Sequence, residues 1–317
     1  MKGWFIIYFL ILMHTDTDAQ NLHFKTYTTK DGLCQNSPYS IAQSQDGFMW
    51  FGTQNGLNRF DSKTFKRISF KSRDKKFRPS EMITSLYVDS KGMFWVGTVS
   101  EVFLFDHKSD SIFLISQKFP FYKAPSNLWT YKIKENAEGQ IIIYQADKIQ
   151  IIDKLKEKAF VFDSSTFGSD IVDMDVSYDK RSIYVATTKQ VFVMNEPNKW
   201  NPVIESKYIF TSGIRAIGSV HNEIWIITTD NKIRIWDTKN RNLKTFNEIY
   251  PAIKLPTDPV KVHQSKDKSI WLGTRTQGIV KIDPLLKKGT IAGASPDLNG
   301  LQKNFILSFY TNTQGIT

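Results

Sequence analysis

One pattern constrains this chain more than any other. A short apolar strand, a glycine turn, an aromatic residue and then Gly-Thr return at intervals in the forties. The pattern first runs from Ser40 to Asp61, as Ser-Ile-Ala-Gln-Ser-Gln-Asp-Gly-Phe-Met-Trp-Phe-Gly-Thr-Gln-Asn-Gly-Leu-Asn-Arg-Phe-Asp. Turns at Asp46-Gly47 and Asn55-Gly56 divide it into three apolar runs, an antiparallel meander. It returns as Lys91-Gly92-Met93-Phe94-Trp95-Val96-Gly97-Thr98, and again as Ser269-Ile270-Trp271-Leu272-Gly273-Thr274. Four short strands per period of about forty residues is the signature of β-propeller blades.

Read this way, the blades occupy residues 40–70, 83–116, 129–162, 171 to a weak outer strand near Val203, 214–247, and 260–292. Strands are named a to d from the axis outward. A large residue on strand b recurs at Trp50, Trp95, Ile142, Tyr184, Trp225 and Trp271, at intervals of 45, 47, 42, 41 and 46 residues. Side chains on a strand alternate faces, so one bulky residue repeated on strand b is expected to fill the gap between diverging blades. The Gly that follows in blades one, two and six lets the next chain segment pass closely.

The expected fold is therefore all-β: six full four-stranded blades plus the start of a seventh, over residues 22–317. Ile306 to Tyr310 reads as strand a of blade seven, and Gly315 matches Gly47 and Gly92. Strands b and c of that blade are missing from the sequence. Residues 22–28 read as its strand d, since Phe24-Lys25 matches Phe65-Lys66. On this reading the propeller is incomplete at its C-terminus. The face of blade six around Trp271 and Ile279 is then expected to lie bare and to promote association.

The N-terminus has its own logic. Lys2, an apolar run from Trp4 to Met13, and Thr17-Asp18-Ala19 follow the order of a secretory signal peptide, here residues 1–19. Export to the periplasm is the expectation. No later run of about 18 apolar residues suggests a membrane span. The single cysteine, Cys34, cannot make an internal disulfide. The net charge of +11 raises the question of nucleic acid. The basic residues, however, are scattered in turns at 71–78, 154–158 and 287–288, and no helix carries a basic stripe.

At this point the residues carry a resemblance. Asp46 to Asp61 closely resembles the two-component regulator propeller repeat. The lead-in Asp31-Gly32-Leu33-Cys34-Gln35-Asn36-Ser37 resembles the start of the periplasmic sensor region in hybrid two-component systems of Bacteroidota-type bacteria. The resemblance implies a sensor with two propellers, a β-sandwich, a membrane helix, a kinase, a receiver and a DNA-binding domain, working as a homodimer. It also implies an oligosaccharide signal. The chain then corresponds to the N-terminal ligand-sensing part, without kinase or DNA-binding domains, and is not expected to be an enzyme.

His14, His23, His107, His221 and His263 are not at metal-ligand spacing. No glycine-rich phosphate loop or Gly-x-Ser-x-Gly elbow occurs, so no metal or cofactor is expected. A propeller glycosidase is one alternative. Ser44-Gln45-Asp46-Gly47 and the segment from Ser265 to Trp271 come near an Asp-box, but the spacing is wrong and no catalytic carboxylate pair can be picked out. A plain interaction platform is the other. A ligand site belongs where the b–c and d–a loops meet near the axis. Tyr39, Trp129, Arg215, Lys261 and Arg275 are its candidates, with the 117–128 loop, bearing Phe119, Phe121 and Tyr122, close by.

Overall fold

The computed structural model describes residues 22, 24–72, 80–122, 129–196, 199–203, 210–293, 301, 303 and 305–317. The segment read as a signal peptide, His14, His23 and residues 123–128 lie outside the described residues.

Alternating apolar strands and tight glycine turns give antiparallel sheets whose strands pair in chain order. Six such blades follow one another. Their inner strands a are Ser40–Gln43, Ile83–Val88, Thr130–Glu135, Ile171–Val176, Ile214–Val220 and Pro259–Gln264. Their strands b are Met49–Thr53, Phe94–Thr98, Ile141–Gln145, Ile183–Thr187, Glu223–Thr228 and Ile270–Thr274. Blade two gains a short fifth strand, Lys71–Ser72, parallel to its own outer strand Ser111–Leu114.

Both faces of each sheet must be covered, so the core lies between blades. Each of five apolar clusters joins two consecutive blades. The strand-b residues are the centres of this packing. Trp50, Trp95, Ile142 and Trp225 are 0% exposed, Tyr184 7% and Trp271 9%. A buried indole N–H needs an acceptor. Trp50 Nε1 donates to Ser44 Oγ at 2.8 Å, Trp95 Nε1 to Asp89 Oδ2 at 3.1 Å, and Trp271 Nε1 to Ser265 Oγ at 3.0 Å. The acceptor is the residue that follows strand a, so one bond ties the core to the a–b turn.

The glycines of strand b explain how tightly the next blade sits. A Cβ on Gly52 would lie 2.5 Å from Ile83 Cγ2, and one on Gly97 2.5 Å from Thr130 Cγ2. On Gly273 it would lie 2.7 Å from Ile306 Cγ2. Ile306 thus stands to blade six as Ile83 stands to blade one. The a–b turn is repeated as well. Gly315 N–H donates to Asn312 O at 3.0 Å, as Gly47 does to Ser44 O and Gly92 to Asp89 O, both at 2.9 Å. All three glycines are left-handed, with φ of 86, 89 and 79°.

Several expectations are corrected here. Residues 306–310 take the position of a seventh inner strand but pair in no sheet, and the described residues form no seventh blade. Residues 22–28 form no strand among the described residues; Tyr27 instead packs edge-on against Phe60 and Phe65 at 4.9 and 5.4 Å. The face of blade six is not bare, for Ile279 is 4% exposed. Phe309 covers Trp271, with ring centroids 6.4 Å apart, and Leu301 packs beside Gly278. Thr313 N–H reaches across to Gln43 Oε1 of blade one at 2.7 Å. One extended segment therefore bridges blades six and one.

Three single-turn helices were also missed, because four residues are too few to show a helical period. They are α1 (Ile115–Lys118), α2 (Ser164–Phe167) and α3 (Phe246–Ile249), and they close the outer strands of blades two, three and five. Each buries one apolar residue: Ile115, Phe167 and Phe246. In the turn after α1, two of the aromatics singled out from sequence are buried. Phe119 is 8% and Tyr122 2% exposed, and Phe119 stacks on Trp95 at 5.9 Å.

Trp50→Ala and Trp95→Ala are each expected to destabilise the fold by roughly 3–5 kcal/mol in chemical denaturation, as truncations of fully buried aromatics. Phe309→Ala, at a half-buried site, should cost roughly 2–4 kcal/mol. Wild-type stability in that variant would show that residues 305–317 do not hold blades six and one together.

Candidate functional site: the axial funnel

The site begins with a repeated irregularity. In five consecutive blades the a–b pairing slips by one residue, between Ile83 and Ser85, Thr130 and Lys132, Ile171 and Asp173, Ile214 and Ala216, and Pro259 and Lys261. Such a bulge bends the strand and re-aims the residues that follow. Those residues are Ser85, Lys132, Asp173, Ala216 and Lys261. Two positions on, and so on the same side, are Tyr87, Lys134, Asp175, Gly218 and His263. All but Gly218 line a cavity of about 310 Å³ on the axis. Tyr39, Ser40 and Ile41 complete it from blade one, and residues 307–311 from the bridging segment.

Charge inside the funnel is arranged in rows. Lys132 Nζ lies 2.6 Å from Asp173 Oδ1, and Lys134 Nζ 3.3 Å from Asp175 Oδ1. The second oxygen of each carboxylate is held by blade five: Asp173 Oδ2 accepts from Ile217 N–H at 3.0 Å, Asp175 Oδ2 from Ser219 N–H at 2.8 Å. Burial works against the Lys132 ammonium, but Asp173 and Asp175 outweigh it and raise its pKa. Burial likewise opposes the Asp175 carboxylate, and Lys134, Lys132 and two backbone N–H groups overcome it, lowering its pKa. Lys261 is different. Burial, then repulsion from Lys132, push its pKa down, and Asp173 only partly compensates. His263 is pushed down to about 4, by burial first and Lys134 second. Its Nε2 is 2.7 Å from Thr311 Oγ1, and its ring stacks on Phe309 at 6.0 Å.

Beside this charged wall is an aromatic row. Trp129 and Tyr131 stack with centroids 6.1 Å apart and an interplanar angle of 24°. Tyr131, a bulge residue of blade three, lies 4.9 Å from Tyr144, which is buried and donates its hydroxyl to Ile171 O at 2.9 Å. Trp129 and Tyr131 are 36% and 48% exposed. Large rings so exposed, yet anchored from behind, form a fixed platform.

The candidates from sequence fall in different places. Tyr39 and Lys261 line the funnel, and Trp129 is one ring away from it. Arg215 is committed elsewhere: Nη1 donates to Asn231 Oδ1 at 2.9 Å and to Pro259 O at 3.3 Å, and Nη2 to Thr229 O at 3.2 Å. Arg275 is exposed and does not line the funnel. The sequence reading missed Lys132, Lys134, Asp173, Asp175, His263 and Tyr131. Their signal was present as alternating charge, Lys-Ile-Lys and Asp-Met-Asp, on inner strands that otherwise read as apolar. Among the described residues no three His, Cys, Asp or Glu side chains converge as a metal site, and no helix is long and apolar enough to cross a membrane.

The fold defines a class, the β-propeller, and two stretches of the chain are similar to the two component regulator propeller family. Residues 32–55 and 78–100 match that family model. A histidine kinase P4 of Formosa agariphila is 39% identical over 61 residues, which are 19% of this chain and 4% of the kinase. The extracellular domain of one hybrid two component system of B. thetaiotaomicron superposes with a TM-score of 0.72 at 16% identity, over 92% of this chain and 39% of its own. A second such domain from that organism gives 0.69 at 12% identity, over 87% and 36%. Virginiamycin B lyase from Staphylococcus aureus gives 0.59 at 16% identity, over 78% and 80%. These structural likenesses establish the fold. The chain thus spans well under half the length of the kinase and of both sensor domains.

His263 should make stability depend on pH. Its folded pKa is about 4, below the usual value near 6.5 of an unfolded chain. The unfolded state therefore binds the extra proton first. The stabilising contribution of neutral His263 is complete above about pH 6.5 and is lost as pH falls to about 4, up to roughly 3 kcal/mol. Urea midpoints at pH 7.5, 5.5 and 4 should fall more steeply in the wild type than in His263→Gln. Parallel curves would show that His263 titrates normally.

Proposed function

We propose that this chain is the ligand-sensing propeller of a hybrid two-component regulator, exported to the periplasm, and that its signal is an oligosaccharide bound at the axial funnel. The observation that carries the ligand class is the Trp129–Tyr131 platform beside a polar cavity. Sugars offer apolar CH faces to aromatic rings and hydroxyls to charged groups. The cavity, about 310 Å³, is at the lower end for ligand pockets. It suits one or two sugar units with the remainder of the chain on the platform. The regulator repeats and the likeness to two extracellular sensor domains support the sensing role.

The reading is non-catalytic. Each funnel carboxylate is tied to a lysine and to a backbone N–H, and Asp175 is held ionised. Glycoside hydrolysis needs one carboxyl protonated and free to donate. The likeness to a lyase is a likeness of fold, and fold does not fix function.

Calorimetry of the purified chain against a panel of plant and host oligosaccharides is the test. At least one should bind, and Trp129→Ala and Tyr131→Ala should each weaken it by roughly tenfold, the size of a lost stacking contact. Silence across the panel, beside binding of some other ligand class, would sink the carbohydrate part. Measurable glycoside turnover would replace the sensor reading with an enzymatic one.

A further inference from the structure

The funnel holds more positive charge than it neutralises. Lys132 and Lys134 each face one aspartate, and all four oxygens of Asp173 and Asp175 are engaged, two by these lysines and two by blade five. Lys261 stands at the position in blade six equivalent to Lys132 in blade three and Asp173 in blade four. It has no ion pair and no side-chain hydrogen bond among the described residues. The two carboxylates that share the funnel wall with it, Asp173 and Asp175, are already paired with Lys132 and Lys134, and residues 307–311 add only hydroxyls, from Ser308, Tyr310 and Thr311. A half-buried lysine that shares its wall with two other lysines, while both aspartates there are already engaged, is an arrangement that an arriving anion relieves. The depressed Lys261 pKa agrees with that geometry.

We propose that the ligand of the funnel is acidic, a saccharide carrying a carboxylate or a sulfate ester, and that this anionic group is held by the Lys261 ammonium. The inference rests on the saccharide reading above and adds the charge. Lys261 supplies the charged contact, and Tyr131 and Trp129 carry the adjoining sugar rings. Neutral sugars lack the group that would compensate Lys261 and pay its desolvation again on binding. Discrimination therefore comes from the protein's own uncompensated charge.

The test uses the whole chain and four probes: trigalacturonate, a sulfated disaccharide, the neutral galactotriose, and inorganic sulfate at constant ionic strength. At least one acidic saccharide should bind more tightly than galactotriose. Lys261→Met should weaken it by about 10- to 100-fold, the range for a hydrogen bond to a charged group. Lys261→Arg should restore most of the loss. Lys261→Met replaces an unpaired cation by an apolar chain of similar length, and an unchanged or raised thermal midpoint will show that it folds. Equal affinity for neutral and acidic sugars, unmoved by Lys261→Met, overturns the acidic ligand and leaves the saccharide reading standing. Lys261-dependent binding of sulfate without any saccharide keeps the anion site and removes the saccharide. Silence toward all four probes from folded protein overturns the proposal.

Discussion

Everything in this molecule depends on how the second strand of each blade meets the blade that follows. Twisted sheets set radially around an axis diverge outward, and the wedge between them must be filled. Here one large residue per blade does so. Trp50 reaches Phe94 and Phe105 of blade two, with ring centroids at 5.2 and 5.3 Å. The bare glycines at 52 and 97 let the inner strand of the next blade approach closely nearer the axis. Large outside and nothing inside is the shape of a wedge.

That packing sets the number of segments around the axis. Six sheets are formed, yet seven chain segments line the funnel, because residues 307–311 stand where a seventh inner strand would. The relation of Ile306 to Gly273 reproduces that of Ile83 to Gly52. A bridge of this kind keeps the charged inner wall continuous. Phe309 under His263 and Thr311 on its Nε2 belong to the bridge, so the environment of that histidine is built by the segment that spans blades six and one.

The charged wall is costly to hold in a confined space, and its cost is offset unevenly. Lysine–aspartate pairs closed by backbone N–H groups are satisfied arrangements. They link blades three, four and five on the axial side of the inner strands. The bulges repeated in five blades present these pairs toward the axis. Lys261 is the exception to the pairing, and it is where the chemistry of the funnel is open to a visitor.

Much of this was legible beforehand, and the reason differs from part to part. Periodicity is local information, so the six blades, the buried strand-b residues and the Gly315 turn could be read from spacing alone. The same alternation carried Tyr39 and Lys261 to the axis. Arg215 and Arg275 looked equivalent to Lys261 in sequence. Only the folded chain shows that one is spent on Asn231, Thr229 and Pro259 and that the other does not line the funnel. Lys132, Lys134, Asp173 and Asp175 meet because a bulge turns each strand by one residue, and a bulge leaves no mark on the apolar pattern. The sequence by itself determined which residues form sheets and which residue fills each wedge, since both follow from period and size. Which charges of neighbouring blades pair around the axis was decided by the ring, because that contact joins residues some forty positions apart through twist and register.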